Sequence, residues 1–298
     1  MEKRIIVRIS EGLGNQLFMY ANAYAISKAI GYNLYLDSKS GYFKKKNQNR
    51  FFELDKFNIN INYADDKLIF NSYAKDFKRK ILKIINSFLK KKKFLLEYKD
   101  KNKQTRFINY LNTNYDNIFF VEGHFESEKF FLKCKDDLKK QFTLKDNFID
   151  KQNPYIEKIN STNSISICVR QNRYSEGYNK NFLKSNEFTK KTIEYIYRGV
   201  DYFENKFKNP NFFVWSNDFT NLDKYFDTKK FIFVQNYKNK SINDFYLFKY
   251  CKHFIVGPTS FHWWGAWLNE NKNKICLRPK NINVSNNHDL WPIKWISI

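Results

Sequence analysis

The stretch His253-Phe-Ile-Val-Gly-Pro-Thr-Ser-Phe-His-Trp-Trp-Gly-Ala-Trp-Leu-Asn269 decides the fold of the chain around it. Residues 254–256 predict a short buried strand, which Gly257-Pro258 ends. Thr259 or Ser260 then caps a helix over residues 261–268. The first N–H groups of a helix have no partner within it, and the helix dipole adds partial positive charge. The backbone at Thr259-Ser260-Phe261 therefore predicts an anion site that suits a phosphate or pyrophosphate.

The same stretch has a simpler interpretation, in which it is an ordinary strand and helix of a core. Trp263, Trp264 and Trp267 would then only pack that core. Aromatic residues at helical spacing are typical of core positions, so periodicity alone favours this interpretation. The rest of the chain has to decide between them.

The length of 298 residues suggests two domains of roughly 150 residues each. The dipeptide Asn153-Pro154 is a plausible crossing between them, which gives domains 1–155 and 156–298. Hydrophobic residues make up 42% of the chain and aromatic residues 19%, enough for a substantial core in each half.

The net charge of +23 implies an anionic partner: nucleic acid, an anionic membrane surface or a phosphorylated substrate. Residues 75–93 hold nine Lys or Arg and one Asp, a net of 9 − 1 = +8, and predict an amphipathic helix over 74–93. Two interpretations are equally open for it. It packs on the core with a solvated basic face, or it lies on an anionic leaflet.

Four features bear on location and cofactors. The cysteines lie far apart without metal or disulfide spacing, which fits a reducing cytoplasm: Cys134, Cys168, Cys251 and Cys276. Arg8 and Glu11 interrupt the N-terminal apolar run, so no signal peptide is predicted. No apolar run approaches the ~18 residues that span a bilayer. No Asp-x-Asp at a strand end and no His/Cys cluster appears, so we expect neither a metal nor another cofactor.

The N-terminal half opens with a predicted strand over 4–9, the glycine loop Gly12-Leu-Gly-Asn-Gln16 and a helix over 17–30. Gly14 and Asn15 mark a backbone that another group can approach closely, so we take them as candidate ligand-binding residues. The loop fits neither the dinucleotide fingerprint nor the P-loop. A tight turn in a Rossmann-like domain is at least as good an interpretation.

The C-terminal half alternates strands and helices, which predicts a parallel sheet. The predicted strands are 164–169, 212–215, 231–234, 254–256 and 274–277, with helices at 190–207 and 241–250. Arg170-Gln-Asn-Arg173 directly follows the first of these strands. Ligands of open α/β sheets bind beyond the carboxyl ends of the strands, so these arginines lie where a substrate is expected.

Four blocks of the sequence resemble conserved blocks of the α-1,2-fucosyltransferases, glycosyltransferase family 11. Gly12-Leu-Gly-Asn-Gln-Leu-Phe-Met-Tyr20 looks like that family's N-terminal signature, and Gly123-His-Phe-Glu-Ser-Glu-Lys-Phe-Phe131 is similar to its Gly-Tyr-Trp-Gln-Ser-Glu-Lys-Tyr-Phe block. Trp215-Ser-Asn-Asp218 resembles its Ser-Asp-Asp block, and residues 251–269 are close to its C-terminal block. The four occur in the family's order and spacing, from about residue 5 to Trp295.

The resemblance implies a GT-B fold, in which two Rossmann-like domains face each other across a cleft. It implies GDP-fucose as donor, inversion at the sugar and independence of metal. We therefore expect an N-terminal acceptor-side domain, a C-terminal nucleotide-sugar domain, and transfer of L-fucose to the 2-hydroxyl of a galactoside. The acceptor is expected to be a surface glycan on a lipid-linked or lipopolysaccharide-type carrier, and the enzyme to be cytoplasmic, with peripheral membrane attachment.

Two alternatives are kept. One is a GT-B transferase that uses another nucleotide sugar. The other is a basic nucleic-acid-binding protein. Two observations argue against it: the excess charge lies largely in one amphipathic helix, and the sequence has no RRM, KH or helix-turn-helix signature.

One motif departs from the family's pattern. Its His-x-Arg-Arg-x-Asp appears here as Cys168-Val-Arg-Gln-Asn-Arg173. Arg170 matches the first family Arg, Gln171 replaces the second, and Arg173 takes the Asp position. Without the His, this motif supplies no general base here.

The implied chemistry assigns the remaining candidates. A nucleoside diphosphate leaving group without a metal needs Arg and backbone N–H donors, here Arg170 and the helix N-terminus. The other candidate donor-binding residues are Gly14, Asn15, Gln171 and Arg173. The acceptor hydroxyl needs a general base, and Glu11 is the best-placed carboxylate of the N-terminal half. An exposed loop residue is its simpler interpretation. Asp218 is a candidate for guanine or ribose, or a helix cap, and His253 and His288 are predicted to be structural.

Overall fold

The computed structural model describes residues 2–44, 50–97, 107–175, 180–236, 240–282 and 289–298. The chain divides into two compact units, residues 1–145 with 285–292 and residues 146–284 with 293–298. The boundary predicted after residue 155 falls inside the helix Tyr155–Asn160 of the second unit. The return of a C-terminal segment to the first unit has no signal in the sequence.

The first unit contains a parallel four-stranded sheet in the order β2-β1-β4-β3. Its strands are β1 Arg4–Arg8, β2 Asn33–Asp37, β3 Lys92–Leu96 and β4 Tyr115–Glu122. Its described α-helices are α1 Leu13–Ile30, α2 Tyr73–Ile85, α3 Phe107–Leu111 and α4 Lys135–Gln141. In this order β1 and β4 are neighbours at the centre of the sheet, with β2 at one edge and β3 at the other.

Helix α1 begins four residues earlier than predicted, at Leu13 instead of residue 17. Gly12 is its N-cap, and the Gly12 carbonyl accepts the N–H groups of Asn15 (3.0 Å) and Gln16 (3.1 Å). The predicted glycine loop is therefore the first helical turn. The C-terminal end is as expected, because Gly31 adopts a φ of 69° and its N–H caps Ser27.

The basic helix predicted over 74–93 is wrong at its C-terminal end, since α2 ends at Ile85 and Lys92–Leu96 form a strand. The cause is Asn86. Its Nδ2 donates to the Phe94 carbonyl (2.9 Å), and its Oδ1 accepts the N–H groups of Lys93 (2.8 Å) and Phe94 (2.9 Å). One amide side chain thus ends the helix and begins the strand.

The apolar spacing of residues 126–138 predicts one helix after the strand that ends at Glu122, and this prediction is also wrong. That segment forms two short 3-10 turns, Glu128–Phe130 and Leu132–Cys134, before α4. Ser127 ends the extended backbone by accepting the N–H of Lys129 with its hydroxyl (3.3 Å). The apolar spacing of the segment fits buried aromatic residues on successive tight turns as well as one helix.

The second unit contains a parallel six-stranded sheet in the order β10-β9-β8-β5-β6-β7. Its strands are β5 Asn163–Val169, β6 Pro210–Ser216, β7 Phe231–Phe233, β8 His253–Ile255, β9 Cys276–Arg278 and β10 Ile296–Ser297. Its described helices are α5 Tyr155–Asn160, α6 Phe182–Lys206, α7 Lys240–Phe248 and α8 Ser260–Leu268. The predicted parallel alternation is confirmed, and α6 begins eight residues before the predicted 190. Among the described residues, no helix is both long and apolar enough to cross a bilayer.

The turn between β8 and α8 lies against β5 because Gly257 has no side chain. A Cβ at this position would stand 2.2 Å from the Cys168 carbonyl oxygen, a backbone atom that cannot move aside. The same helix approaches α7 closely, since a Cβ on Gly265 would meet the Phe248 ring at 2.3 Å. Two glycines therefore fix where α8 begins and how it packs.

We expect Gly257→Ala to lower the free energy of unfolding by about 2 kcal/mol or more, the cost of forcing an extra methyl group into a packed site. Urea denaturation measures it. Gly12→Ala is the control, because there the new Cβ meets the end of a long side chain and not a backbone atom: the guanidinium of Arg50, at 2.7 Å. This variant should cost less than about 1 kcal/mol. Equal losses in the two variants would contradict the steric argument.

Candidate functional site

The second sheet changes its winding direction at β5, which lies between β6 and β8. Val169 pairs with Ser216 at the carboxyl end of β6, and Ile167 pairs with Ile255 at the end of β8. Three strand ends therefore meet at one edge. Such a switch point is where open α/β sheets bind their ligands.

Arg170 directly follows β5 at this point and is half-buried. Its neighbour Gln171 holds the loop after β6. The Gln171 N–H donates to Asn217 Oδ1 (2.8 Å), and Nε2 donates to the carbonyls of Asp218 (2.7 Å) and Thr220 (3.1 Å). The residue that replaces the family's second arginine thus joins two loops through neutral hydrogen bonds.

Asp218 is used within the same loop. Its Oδ1 accepts the Thr220 N–H (2.9 Å), and its Oδ2 accepts from Asn172 Nδ2 (3.2 Å). This is a turn within the loop and not the helix cap that was the simpler of its two interpretations, because the next helical turn, Leu222–Lys224, has Asn221 as its N-cap. A contact of Asp218 with guanine or ribose stays a prediction.

Arg173 lies beside the turn that precedes α8. Its Nη1 is 3.4 Å from the Pro258 carbonyl oxygen, and its guanidinium lies 5.3 Å from the centre of the Phe188 ring and 5.9 Å from that of Tyr174. Stacking on aromatic faces restricts a guanidinium without neutralising it. The structure thus brings Arg173 next to the helix that was predicted to bind an anion.

The N-terminus of α8 is capped by Thr259, which decides between the two predicted caps. The Thr259 hydroxyl accepts the His262 N–H at 3.2 Å. Ser260 and Phe261 are half-buried, whereas Trp263 and Trp264 are fully buried and in edge-to-face contact at 5.0 Å. The tryptophans of this helix pack the core, and its first turn lies nearer the surface.

His262, which the sequence reasoning did not single out, fixes the turn at Gly257. Its Nδ1 accepts the Gly257 N–H at 2.9 Å, so Nε2 carries the proton and donates to the Ser166 hydroxyl of β5 at 2.8 Å. Burial lowers the pKa of His262 to about 3, so the ring is neutral. A histidine five residues after a strand-ending glycine was the only signal for it.

In the first unit, Glu11 follows β1 and has a φ of 67°, which is strained for a residue other than glycine. The fully buried Gln16 supports it. Gln16 Nε2 donates to the carbonyls of Glu11 (3.0 Å) and Phe51 (2.8 Å), and Oε1 accepts the Glu53 N–H (2.9 Å). Sequence reasoning missed this role, although a glutamine in the first turn of an apolar helix was visible.

Tyr42 also contacts Glu11, because its hydroxyl donates to the Glu11 carbonyl at 3.3 Å. Burial, followed by the carboxylates of Glu53 and Glu11, raises the pKa of Tyr42 well above its ordinary value. Gly14 and Asn15 lie in the first turn of α1, so both are near Glu11 in the chain and in space. Their predicted contact with the donor stays a prediction.

A second carboxylate lies at the same edge of the first sheet. Glu97 follows β3, and its two oxygens accept the N–H groups of His124 and Phe125, each at 2.8 Å. Gly123, between β4 and this loop, has a φ of 153° and would place a Cβ 2.3 Å from that of Glu97. The family-like block that begins at Gly123 is thus held against β3 by one carboxylate.

Two further sequence-based expectations concern histidines and metals. His253 is structural, since its Nδ1 accepts the Ile275 N–H (3.1 Å) and its ring stacks on Phe207 at 4.6 Å. His288 lies outside the described residues. Within the described ranges, no group of three or more His, Cys, Asp or Glu is arranged to hold a metal ion.

Two parallel α/β units, each with polar groups at the carboxyl edge of its sheet, have the architecture of the GT-B fold, which solved structures similar to the chain share. The chain belongs to glycosyl transferase family 11, whose family model matches residues 4–298. The class and family inferred from the four sequence blocks are therefore confirmed.

Two curated relatives from Escherichia coli span nearly the whole chain. An α-1,2-colitosyltransferase is 29% identical over 310 residues, covering 99% of this chain and 98% of the relative. The O-antigen biosynthesis glycosyltransferase WbnK is 26% identical over 312 residues, covering 97% of this chain and 99% of the relative.

Solved structures share the fold at low identity. The α-1,6-fucosyltransferase NodZ from Bradyrhizobium, soaked with GDP-fucose, has a TM-score of 0.53 at 14% identity, covering 90% of this chain and 93% of NodZ. FUT1 of Arabidopsis thaliana, in complex with GDP, has a TM-score of 0.55 at 12% identity, covering 94% of this chain and 71% of FUT1.

His262→Gln should remove part of the acid sensitivity of the fold. The native ring stays neutral down to about pH 3, whereas the unfolded ring takes up a proton below about pH 6.5. The stability that this difference provides is therefore present above pH 6.5 and lost as the pH falls. Urea titrations from pH 4.5 to 7 should show that, below about pH 6.5, the parent loses about 1.4 kcal/mol per pH unit more than the variant. Parallel curves would mean that the folded and unfolded His262 rings take up a proton at the same pH.

Proposed function

We propose that this chain transfers L-fucose from GDP-β-L-fucose to the 2-hydroxyl of a galactoside in a surface glycan, with inversion and without a metal ion. The observation that carries the proposal is the position of Arg173 beside the N-terminus of α8, at the switch point that Arg170 enters. Membership of family 11, fold similarity to fucosyltransferases, and an α-1,2 linkage in the name of one relative support it.

The second unit would hold the nucleotide sugar. Cleavage of the bond between the sugar and GDP leaves negative charge on the diphosphate. Arg170, Arg173 and the N–H groups at Thr259-Ser260-Phe261 are charged or oriented donors that can stabilise this charge without a metal ion. Arg173 would supply the positive charge that Gln171 lacks.

Glu11 of the first unit would act as general base and take the proton of the acceptor hydroxyl. Two supports for the role are its place at the end of β1 and its strained backbone, which Gln16 and Tyr42 hold. Strained residues cluster at functional sites because the surrounding structure has to over-determine them.

A transferase for another nucleotide sugar is the alternative, and the colitosyltransferase relative favours a specific one. Colitose is L-fucose without its 3-hydroxyl. A site that hydrogen-bonds this hydroxyl rejects the deoxy sugar strongly, whereas an apolar site discriminates little. The altered motif Cys168-Val-Arg-Gln-Asn-Arg173 leaves both donors open. A nucleic-acid-binding role is disfavoured by the family match over residues 4–298.

The acceptor would be a glycan on a lipid carrier at the cytoplasmic face of the membrane. The O-antigen relative supports a glycan of this type. The decisive experiment is a transfer assay in excess EDTA, with GDP-fucose, GDP-colitose, GDP-mannose and UDP-galactose as donors and β-galactosides as acceptors. We expect activity with GDP-fucose that survives EDTA. Preference for GDP-colitose would select the alternative, and a loss restored by Mg²⁺ or Mn²⁺ would contradict metal independence.

Arg170→Lys should be nearly as damaging as Arg170→Ala, with kcat lower by roughly 10²–10³. A planar guanidinium can hold two phosphate oxygens at once, and an ammonium cannot. Steady-state kinetics and GDP titration measure the effect. Arg198→Ala, which removes an exposed arginine from α6, is the matched control and should leave kcat unchanged. Normal GDP binding and transfer by a folded Arg170→Ala variant would defeat the assignment.

Arg173→Ala should raise the Kd for GDP, because it removes the charge that stands in for the family's second arginine. Adding Gln171→Arg to that variant should partly restore binding. Isothermal titration with GDP compares the three proteins. If Arg173 is only a loop residue, its removal leaves the Kd unchanged.

Glu11→Gln should lower kcat by ~10²-fold or more while the Kd for GDP stays nearly constant, since only proton transfer is lost. Gln preserves the size of the side chain. Glu97→Gln makes the same change at a carboxylate that we do not assign to proton transfer, because both Glu97 oxygens accept backbone N–H groups, from His124 and Phe125. It therefore shows what the loss of a structural carboxylate does to kcat. A kcat close to that of the parent would return Glu11 to a structural role.

A further inference from the structure

Helix α2 carries its charged face inward. Arg79 Nη1 and Lys83 Nζ contact Glu122 Oε2 at 2.6 and 2.8 Å, and Arg79 Nη2 contacts Asp76 Oδ1 at 2.6 Å. Asp76 is 3% exposed and also pairs with Lys44. The charged residues that the sequence pattern would place in solvent therefore anchor the helix to the end of β4.

The apolar face of α2 and of the turn after it points outward. Phe77 is 66% exposed, Ile84 72% and Phe88 85%. The exposed apolar set is Tyr73, Phe77, Ile81, Ile84, Ile85 and Phe88. At 3.6 residues per turn, its helical members cover one arc of about 120°. They form one surface, which we call the α2 face.

Exposed apolar residues are concentrated here. Six of the fifteen large hydrophobic residues that are exposed in the described part of the chain lie on the α2 face. Scattered apolar residues are normal on a surface, but a contiguous patch marks an interaction site. The α2 face therefore has the character of an interaction site for a partner with an apolar surface.

Exposed lysines border the α2 face. Lys80 and Lys78 lie at the two edges of the apolar arc, and Lys90 and Lys91 follow Phe88. An apolar strip between lysines matches an anionic bilayer, which offers acyl chains below a layer of phosphates. A second copy of the chain would bring these lysines against each other.

We propose that the α2 face docks on an anionic lipid leaflet, with Phe77, Ile84 and Phe88 entering the boundary between headgroups and acyl chains. Lys78, Lys90 and Lys91 contact lipid phosphates, whereas Lys80 lies 3.7 Å from Asp76 Oδ2. This surface is distinct from the residues assigned to sugar transfer, and its test does not depend on the donor.

The next two lysines of the chain, Lys92 and Lys93, differ from these because their side chains contact other groups of the protein. Lys92 Nζ donates to the carbonyls of Ser87 and Leu89, both at 2.7 Å, and Lys93 lies 4.0 Å from Asp116. We therefore do not count Lys92 and Lys93 among the residues that contact lipid. The charge that faces lipid is smaller than the +8 of residues 75–93.

The experiment is sedimentation of the full chain with phosphatidylcholine vesicles that contain either none or about a third phosphatidylglycerol. Phe77→Gln/Phe88→Gln tests the apolar contact, and Lys78→Gln/Lys90→Gln/Lys91→Gln tests the charge. Two sets of controls change exposed residues of the second unit: the apolar pair Leu183→Gln/Ile293→Gln and the lysine set Lys224→Gln/Lys229→Gln/Lys272→Gln. Circular dichroism and urea denaturation check that each variant is folded.

The parent should bind the anionic vesicles and not the neutral ones. We expect about tenfold weaker binding or more for each lost Phe and about fivefold for each lost Lys, with both controls like the parent. Equal binding of parent and α2 variants, equal losses in the controls, or no binding by the parent would overturn the proposal. So would a parent dimer, seen by light scattering, that Phe77→Gln/Phe88→Gln converts to a monomer without changing vesicle binding.

Discussion

The second unit depends on the close approach of two backbones, at Gly257 and Cys168. This contact lets the turn before α8 reach the end of β5, and a side chain of any size would separate them. His262 then joins both elements, because one ring nitrogen accepts from Gly257 and the other donates to Ser166. Since burial keeps the ring neutral, the two hydrogen bonds form without the cost of a buried charge.

The geometry of the candidate donor site follows from this contact. Once the start of α8 lies beside β5, its first-turn N–H groups and the residues after Val169 share one edge of the sheet. Arg173 spans the gap by reaching the Pro258 carbonyl, with its guanidinium restricted by two aromatic rings. A rigid cation and a helix N-terminus need little rearrangement when phosphate charge develops, which is the property that lowers a transition state.

The sequence predicted the parallel sheet of the second unit because fully buried strands are continuous apolar runs bounded by turn residues. It did not predict the 3-10 turns Glu128–Phe130 and Leu132–Cys134. It also did not predict that α2 stops at Ile85, because one side chain, Asn86, decides this through contacts with Phe94. The residues of the candidate site also divide into those that the sequence predicts and those that depend on tertiary contacts. Arg170 and Thr259 could be located from motifs, whereas Gln16 and His262 act through tertiary hydrogen bonds that no local pattern encodes.

Helix α2 shows that an amphipathic pattern does not say which face is buried. Burial alone would raise the pKa of Asp76, but hydrogen bonds from Lys44 and Arg79 outweigh it and lower the pKa to about 2. Buried ion pairs contribute little net stability, because desolvation offsets most of their attraction. Turning the charged face inward therefore adds little to the free energy of unfolding. Turning the apolar face outward leaves large side chains exposed, and each of them would contribute roughly 1.5–3 kcal/mol if it were buried. The proposed contact with lipid would cover Phe77, Ile84 and Phe88 and recover part of this free energy.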